Sequence, residues 1–119
     1  MARQKLLTKK QMKILLENGA RARTGDPDYE AWPVVKLFGG VAATWLVAEL
    51  NPDRKDEAFG LADLGMGSPE MGYFSMRELA SIRFPPFGLP IERDMYWRPE
   101  GSLMKYADAA RRARRIVDL

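Results

Sequence analysis

Residues 57–79, EAFGLADLGMGSPEMGYFSMREL, determine how the rest of the chain folds. Apolar side chains alternate with small or polar ones over residues 57–64, and a period of two predicts a β-strand. A glycine-rich turn follows, and residues 71–74 predict a second, shorter strand. Ser75 and Glu78 then have the spacing of a capping box, which predicts the start of a helix. The stretch therefore indicates antiparallel strands that lead directly into a helix.

The chain before this stretch begins with a helix. Thr8 and Gln11 form another capping box, and apolar residues recur at helical spacing over residues 9–18. Gly19 is expected to end this helix in a left-handed conformation. Residues 20–32 contain glycine and proline at turn spacing without periodicity, so they predict a loop.

Two further strands are predicted between that loop and the central stretch. Residues 33–38 and 42–50 are rich in β-branched and aromatic side chains, and residues 39–40, both glycine, are typical of a two-residue hairpin turn. A polar turn over residues 51–56 then leads to the third strand. The side chains expected on one face of the second strand are Trp45, Val47 and Glu49.

The chain after the central stretch is predicted to contain an extended segment, a strand and a helix. The middle helix is expected to end near Ile82. Three prolines within residues 84–90 exclude regular structure and predict an extended, partly polyproline-like segment. Residues 95–98 predict an edge strand, and Ser102 is expected to cap a C-terminal helix. The apolar stripe of that helix consists of Leu103, Tyr106, Ala107, Ala110, Ala113 and Val117.

Together these elements predict an α+β fold in which residues 1–119 form a single domain. Its centre is an antiparallel β-meander of four to five strands. An N-terminal helix, a short middle helix and a C-terminal helix pack on the meander, and all of them are expected on one face. An edge strand of such a sheet has free backbone groups, so a homodimer is one alternative for assembly.

The composition excludes several classes of catalytic site. The 119 residues include no cysteine and no histidine, which excludes thiolate and imidazole nucleophiles, Ser-His-Asp triads and ordinary zinc sites. We expect a protein without a cofactor and without catalysis, although chemistry by carboxylates, lysine, tyrosine or a hard metal ion stays compatible. The longest apolar run, residues 41–48, is far shorter than the roughly 20 residues that span a bilayer. A cytoplasmic protein that does not contact a membrane is expected.

Five phrases of the sequence resemble one bacterial family. They are KLLTKKQ (5–11), WPVVKLF (32–38), TWLVAEL (44–50), AFGLADLGMGSPEMGY with SMREL shortly after it (58–73 and 75–79), and GLPIERDMYW (88–97). Over nearly its whole length the chain resembles the family of domain of unknown function 2958, DUF2958. The resemblance implies a small stand-alone bacterial protein, often encoded on plasmids and integrative elements, and it implies no activity. Members often carry longer inserts around the first hairpin, where this chain has only Gly39 and Gly40.

The proline-rich segment supports the leading hypothesis for function. An exposed, rigid apolar loop favours protein binding because little ordering entropy is lost when it binds. The candidate partner-binding residues are Phe84, Phe87, Leu89 and Trp97. Together with the resemblance, they suggest a protein-binding or regulatory module of a mobile genetic element that acts on a host defence or transfer component. The alternative is that these side chains cover an open face of the sheet.

Basic side chains at both ends of the chain support a second hypothesis, a nucleic-acid-binding protein. The formal net charge is only +3, but both terminal regions are basic and the middle is acidic. Arginine forks match phosphate geometry. The candidate residues are Lys105, Arg111, Arg112, Arg115, Lys9 and Lys13, with Arg3, Lys5 and Lys10 close in sequence to the last two. No helix-turn-helix, zinc finger or aromatic RNA-binding signature accompanies them, and an ordinary solvated surface explains the same pattern.

Carboxylates support a third and weaker hypothesis, a metal-dependent hydrolase. Asp63 and Glu70 flank the turn that contains Gly65 and Gly67, and Glu49 lies on the preceding strand. Carboxylates held together bind a hard cation such as Mg²⁺, and closely spaced glycines let backbone amides face an anion. The turn has the spacing of neither a phosphate loop nor a calcium loop. The alternative is that Asp63 accepts hydrogen bonds from amides of the turn.

Overall fold

The computed structural model describes residues 5–119, and these residues form three helices and five strands. In chain order the elements are α1 (Lys9–Thr24), β1 (Val35–Gly39), β2 (Ala43–Asn51), β3 (Arg54–Asp63), β4 (Glu70–Ser75), α2 (Met76–Ser81), β5 (Glu92–Arg93) and α3 (Leu103–Ala113). The strands form one antiparallel sheet in the order β4-β3-β2-β1-β5. The predicted α+β fold, with its meander and its N-terminal, middle and C-terminal helices, is therefore confirmed.

The sheet separates two hydrophobic cores. Along β2, Trp45 and Val47 belong to one core, whereas Leu46 and Ala48 belong to the other. Because successive side chains of a strand point to opposite faces, the two cores lie on opposite sides of the sheet. Side chains of α1 and α2 complete the first core, and those of α3 complete the second. The prediction that all helices share one face is wrong, because β2 is apolar on both faces.

Helix α1 is longer than predicted. Thr8 and Gln11 form the expected capping box at its start. Gly19 does not end the helix but lies inside it, where a Cβ atom would clash with the carbonyl oxygen of Leu50. The helix is instead ended by Gly25, whose φ of 69° is left-handed. Gly19 is therefore a contact residue that lets α1 approach the backbone of β2 closely.

The hairpin turns also differ from the predicted ones. Gly39 pairs with Ala43, so the first turn comprises residues 40–42 instead of the two glycines alone. The next turn is shorter than the predicted residues 51–56, because β3 already begins at Arg54. In both hairpins the strand pairing, rather than the local composition, determines where the turn lies.

A β-bulge in β2 changes the face on which Glu49 lies. The pairing register shifts between Val47 and Glu49, and Glu49 is opposite Phe59. The Phe59 side chain packs against the second core, so Glu49 lies on that face. The predicted shared face of Trp45, Val47 and Glu49 is therefore wrong at Glu49, because one extra residue interrupts the alternation of side chains.

The turns of the meander define two ends of the sheet. The turns at residues 40–42 and 64–69 lie at one end, which we call the Val41 end. The turn at residues 52–53 lies at the opposite end, which we call the Pro52 end. Since β4 runs from the Val41 end to the Pro52 end, α2 starts at the Pro52 end.

Residues 84–89 form a closed loop rather than the predicted extended segment. The amide of Phe84 donates to the carbonyl of Leu89 at 2.8 Å, and the amide of Leu89 donates back at 3.1 Å. The Pro85-Pro86 bond is cis, and Gly88 has a φ of 66°. These two hydrogen bonds pair backbone groups that a polyproline-like segment leaves to solvent, and they close the segment on itself.

The strand predicted at residues 95–98 is misplaced. Instead, β5 occupies Glu92–Arg93 and pairs with β1. The Asp94 carboxylate accepts a hydrogen bond from the amide of Tyr96 at 3.2 Å. This local turn directs the chain away from the sheet edge and ends the pairing.

Helix α3 begins as predicted but ends early. The Ser102 hydroxyl accepts a hydrogen bond from the amide of Lys105 and caps the helix. At the other end, Arg114 adopts a left-handed conformation with a φ of 62°. Ala113 is exposed and Val117 lies beyond the helix, so neither completes the predicted apolar stripe. None of the helices within residues 5–119 is long and apolar enough to cross a membrane.

Candidate functional site

Exposed apolar side chains at the Val41 end line one groove. Val41 at the tip of the first hairpin is fully exposed, Phe87 is 82% exposed and Leu89 is 59% exposed. We call this feature the apolar groove; it has a volume of about 420 Å³ and is lined by Gly40, Val41, Phe84, Pro85, Phe87 and Leu89. Single exposed apolar residues are ordinary, but a contiguous group around a groove indicates an interaction site.

The apolar groove rests on close contact between two loops. The half-buried ring of Phe84 covers the first hairpin turn, where a Cβ atom on Gly40 would lie 2.8 Å from Phe84 Cδ1. The loop that carries Phe87 is closed by the two backbone hydrogen bonds between Phe84 and Leu89. The exposed side chains are therefore presented by a loop that is already ordered without a partner.

The structure brings together some of the predicted partner-binding residues and separates one. Phe84, Phe87 and Leu89 line the apolar groove, whereas Trp97 packs in the second core with its ring 5.8 Å from that of Tyr106. Sequence reasoning missed Val41. Its signal is a β-branched residue within a hairpin turn, a position where small or polar residues are usual.

A second cleft adjoins the apolar groove through Val41. Gly65 and Gly67 of the β3–β4 turn form one wall, and Arg114 and Arg115 after α3 form the other. We call this cleft, of about 370 Å³, the basic cleft; Val41 lines it as well as the apolar groove. The apolar groove, whose Phe84 packs on the first core, and the basic cleft, which contains Asp63 of the other face, therefore meet at Val41.

Asp63 holds the two walls of the basic cleft together. Its side chain is buried, with 2% of the residue exposed. One carboxylate oxygen accepts a hydrogen bond from the amide of Gly65 at 2.9 Å, and the other accepts one from the amide of Ile116 at 2.9 Å. Asp63 thus connects the β3–β4 turn to the segment after α3. The bond from Gly65 is the one expected if Asp63 accepts hydrogen bonds from amides of the turn instead of binding a metal ion.

The three candidate metal-ligating carboxylates do not converge. Glu70 is paired with Ala62 on the first-core face of the sheet, and Asp63 lies on the other face. Glu49 is opposite Phe59, which lies four residues before Asp63 on β3. At the usual rise per residue, Phe59 and Asp63 are about 13 Å apart along the strand. Within residues 5–119 no group of three or more acidic side chains is arranged to hold a metal ion.

Glu49 has a different partner. The hydroxyl of Tyr29 donates to its carboxylate at 2.7 Å. Burial, and then this hydrogen bond to the negatively charged Glu49, raise the pKa of Tyr29 far above its ordinary value. The Tyr29 hydroxyl therefore stays protonated and connects the loop before β1 to β2.

The candidate nucleic-acid-binding residues are divided between the two faces. Lys9 and Lys13 lie on α1, which packs on the first core, whereas Lys105, Arg111, Arg112 and Arg115 lie on or directly after α3 on the opposite face. Arg111 also forms an ion pair with Asp108 at 3.8 Å. Arg3 lies outside the described residues. A basic surface made from both terminal helices is therefore not formed within the described part of the chain.

Comparison with known proteins identifies the family. No curated protein and no solved structure matches the chain. The family model described as protein of unknown function (DUF2958) matches residues 6–117. The matched range includes all eight elements of the fold and both walls of the basic cleft. The chain therefore belongs to the DUF2958 family, as the five sequence phrases indicated.

Proposed function

We propose that this protein is a non-catalytic protein-binding module whose partner is held by the apolar groove. The observation that carries the proposal is the exposure of Val41, Phe87 and Leu89 around one groove. Burial of apolar area is the main favourable contribution to protein association, and these side chains lie beside one another with most of their area still exposed.

The closed loop supports the same proposal on entropic grounds. Association is weakened when loops and side chains must be ordered as the partner binds. The loop at residues 84–89 is closed by its own backbone hydrogen bonds, and Phe84 fixes it against the first hairpin. The cost of ordering it is therefore largely met during folding.

The biological role that we propose is regulation by a mobile genetic element. The family resemblance supports this role, because it implies bacterial proteins that are often encoded on plasmids and integrative elements. A module without catalytic side chains acts by occupying the surface of another protein. The partner that we propose is a component of host defence or of transfer of the element.

The test is capture of partners from a bacterial lysate with tagged wild-type protein and with the variant Val41→Asp/Phe87→Asp. Both positions are exposed, so the substitutions are expected to change the free energy of unfolding by less than about 0.5 kcal/mol each. Tyr96→Asp is the matched control, because Tyr96 is 88% exposed but does not line the groove.

The expected result is a partner that is retained by wild type and by Tyr96→Asp and lost by the double variant. The same captured proteins in all three samples would contradict the proposal. Capture of an untagged second copy of this chain, confirmed by sedimentation of the pure protein, would instead assign the groove to a homodimer.

Nucleic-acid binding by the end of α3 is a second candidate. It is favoured by Arg112, Arg114 and Arg115, which have no acidic partner among the described residues. Fluorescence anisotropy with labelled duplex DNA, single-stranded DNA and RNA tests it. Affinity that falls log-linearly with salt, and disappears when Arg111, Arg112 and Arg115 are all replaced by Glu, supports this function. No binding at low salt would exclude it.

A further inference from the structure

We propose that the basic cleft binds the carboxylates of an acidic segment in the same partner protein whose apolar side chains fill the apolar groove. The inference rests on the proposed function and adds the chemistry of the partner. It predicts a partner segment with apolar residues followed by Asp or Glu.

The two binding features meet at the tip of the first hairpin. Val41 lines both the apolar groove and the basic cleft. A partner segment whose apolar side chain contacts Val41 therefore continues in one direction over Phe87 and in the other towards Arg114 and Arg115. One continuous segment is sufficient to reach both features.

The electrostatics of the basic cleft favour an anion. Among residues 5–119, Arg114 and Arg115 form no ion pair. The cleft does contain Asp63, but both carboxylate oxygens of Asp63 already accept backbone hydrogen bonds. Two guanidinium groups therefore remain for an external anion, and their forked geometry suits a carboxylate.

The opposite wall lets the anion approach closely. Gly65 and Gly67 have φ values of 82° and 81°, and both residues are exposed. A Cβ atom on Gly67 would meet no other atom within 4 Å, so the space in front of the turn is open. The Gly65 amide already donates to Asp63, so this wall contributes open space for the anion while the two arginines contribute the charge.

An acidic protein segment fits this surface better than a nucleic acid does. A nucleic-acid backbone needs a basic track that follows several phosphates. Here the basic cleft ends at Val41, where the apolar groove begins, and Lys9 and Lys13 lie on α1 rather than beside the arginines that follow α3. The combination of a short cationic site with an apolar groove matches an amphipathic acidic segment.

The test is titration of the ¹⁵N-labelled full chain with three probes, followed by NMR. The probes are a short polyglutamate peptide, a polylysine peptide of equal length and a single-stranded DNA oligonucleotide. We expect polyglutamate to shift the amide signals of Gly65 and Gly67 and polylysine to leave them unchanged. Removing both arginine charges with Arg114→Gly/Arg115→Gln should weaken polyglutamate binding about tenfold or more, since each charged hydrogen bond contributes substantially.

The variants separate loss of binding from loss of folding. Arg114 has a left-handed φ of 62°, so Arg114→Gly removes the charge and relieves backbone strain at the same time. Arg111→Gln/Arg112→Gln is the matched control, because it also removes two charges, from α3 outside the residues that line the cleft. It is expected to change polyglutamate affinity less than twofold.

Three results would overturn the inference. These are the absence of shifts at the glycine turn, shifts that persist in Arg114→Gly/Arg115→Gln, and tighter binding of the oligonucleotide than of polyglutamate at the same amides. The last would assign the cleft to nucleic acid. None of them depends on Phe87 or on partner capture, so failure of this inference and failure of the proposed function are distinguishable.

Discussion

At the Pro52 end of the sheet Arg23 pairs with Asp53, whereas at the Val41 end Arg114 and Arg115 line an open cleft without an acidic partner among the described residues. The Pro52 end also contains the ion pair between Arg54 and Glu57 at 3.4 Å. The Val41 end contains the exposed apolar side chains of Val41, Phe87 and Leu89. Arg23 and Arg54 therefore have acidic partners within the described residues, whereas Arg114 and Arg115 do not.

Under the proposed function, this difference separates groups that stabilise the fold from groups that are available to a partner. Groups that have partners in the folded chain gain little from an external one, because binding would first break their internal contacts. Groups without partners stay available. A comparison of variants at the two ends should thus show effects on unfolding at the Pro52 end that are independent of effects on binding at the Val41 end.

The largest expected effect comes from Gly19→Ala at the Pro52 end. In an ordinary exposed helix interior, replacing glycine by alanine stabilises a protein by about 1 kcal/mol. Here the new methyl group would clash with the carbonyl oxygen of Leu50, so we expect the free energy of unfolding to fall by about 3 kcal/mol. Urea denaturation followed by circular dichroism measures this change.

Gly25→Ala is the matched control for that experiment. Gly25 has a left-handed φ of 69°, but a Cβ atom there would meet no other atom within 4 Å. Backbone strain alone should reduce the free energy of unfolding by about 1 kcal/mol. If Gly19→Ala were as stable as wild type, α1 would not contact β2 as closely as described.

A smaller effect is expected from Asp63→Asn at the Val41 end. The carboxylate accepts hydrogen bonds from the amides of Gly65 and Ile116. The side chain of asparagine has only one oxygen, so its NH₂ group would face one of these two amides and could not accept a hydrogen bond from it. We expect Asp63→Asn to lower the free energy of unfolding by about 2 kcal/mol, because one charge-assisted hydrogen bond is lost in a buried position. Hydrogen exchange should also become faster at whichever of the Gly65 and Ile116 amides loses its acceptor.

Asp118→Asn provides the corresponding control. Its carboxylate lies 3.9 Å from Lys36 Nζ, and 85% of the side chain is exposed. An exposed pair of this kind contributes less than about 0.5 kcal/mol. Equal stability of Asp63→Asn and Asp118→Asn would show that Asp63 does not hold the basic cleft together.

Sequence reasoning succeeded where structure depends on neighbouring residues. The three helix starts were predicted, because Thr8, Ser75 and Ser102 each cap amides within three residues of themselves. The family was also identified, since its phrases are read directly from the sequence. These features need no knowledge of contacts between distant parts of the chain.

Features that depend on distant contacts were not predicted. Gly19 has the local appearance of a helix stop, and only the nearby backbone of Leu50 explains its place inside α1. The bulge that moves Glu49 to the other face depends on pairing with β3. Val41 joins the apolar groove only because residues 84–89 fold back onto the first hairpin. The candidate site at the Val41 end is therefore assembled by tertiary structure.

The smallest expected effect is a decline in the free energy of unfolding at acidic pH, to which Asp56 at the Pro52 end contributes. Asp56 accepts hydrogen bonds from the Ser75 hydroxyl and from the Arg77 amide, both at 2.6 Å. The hydrogen bond from Ser75, and then that from Arg77, hold the pKa of Asp56 below its ordinary value. At Asp26, the hydrogen bond from the amide of Asp28 and then that from Arg21 lower the pKa in the same way.

A lowered pKa in the folded state means that these carboxylates stabilise the fold when they are ionised. Their contribution is complete above the unfolded-state pKa of about 3.9 and is lost as the pH falls through the lower folded-state pKa. We therefore expect urea denaturation to show constant contributions from Asp56 and Asp26 between about pH 5 and pH 7 and a decline below about pH 4. Asp56→Asn should be less stable than wild type at neutral pH and should lose less stability on acidification, because the titrating group at the start of α2 is absent. If the stability of Asp56→Asn declined as steeply with acid as that of wild type, Asp56 would not anchor α2 to β3. The contrast between the Pro52 end and the Val41 end would then rest on the ion pairs alone.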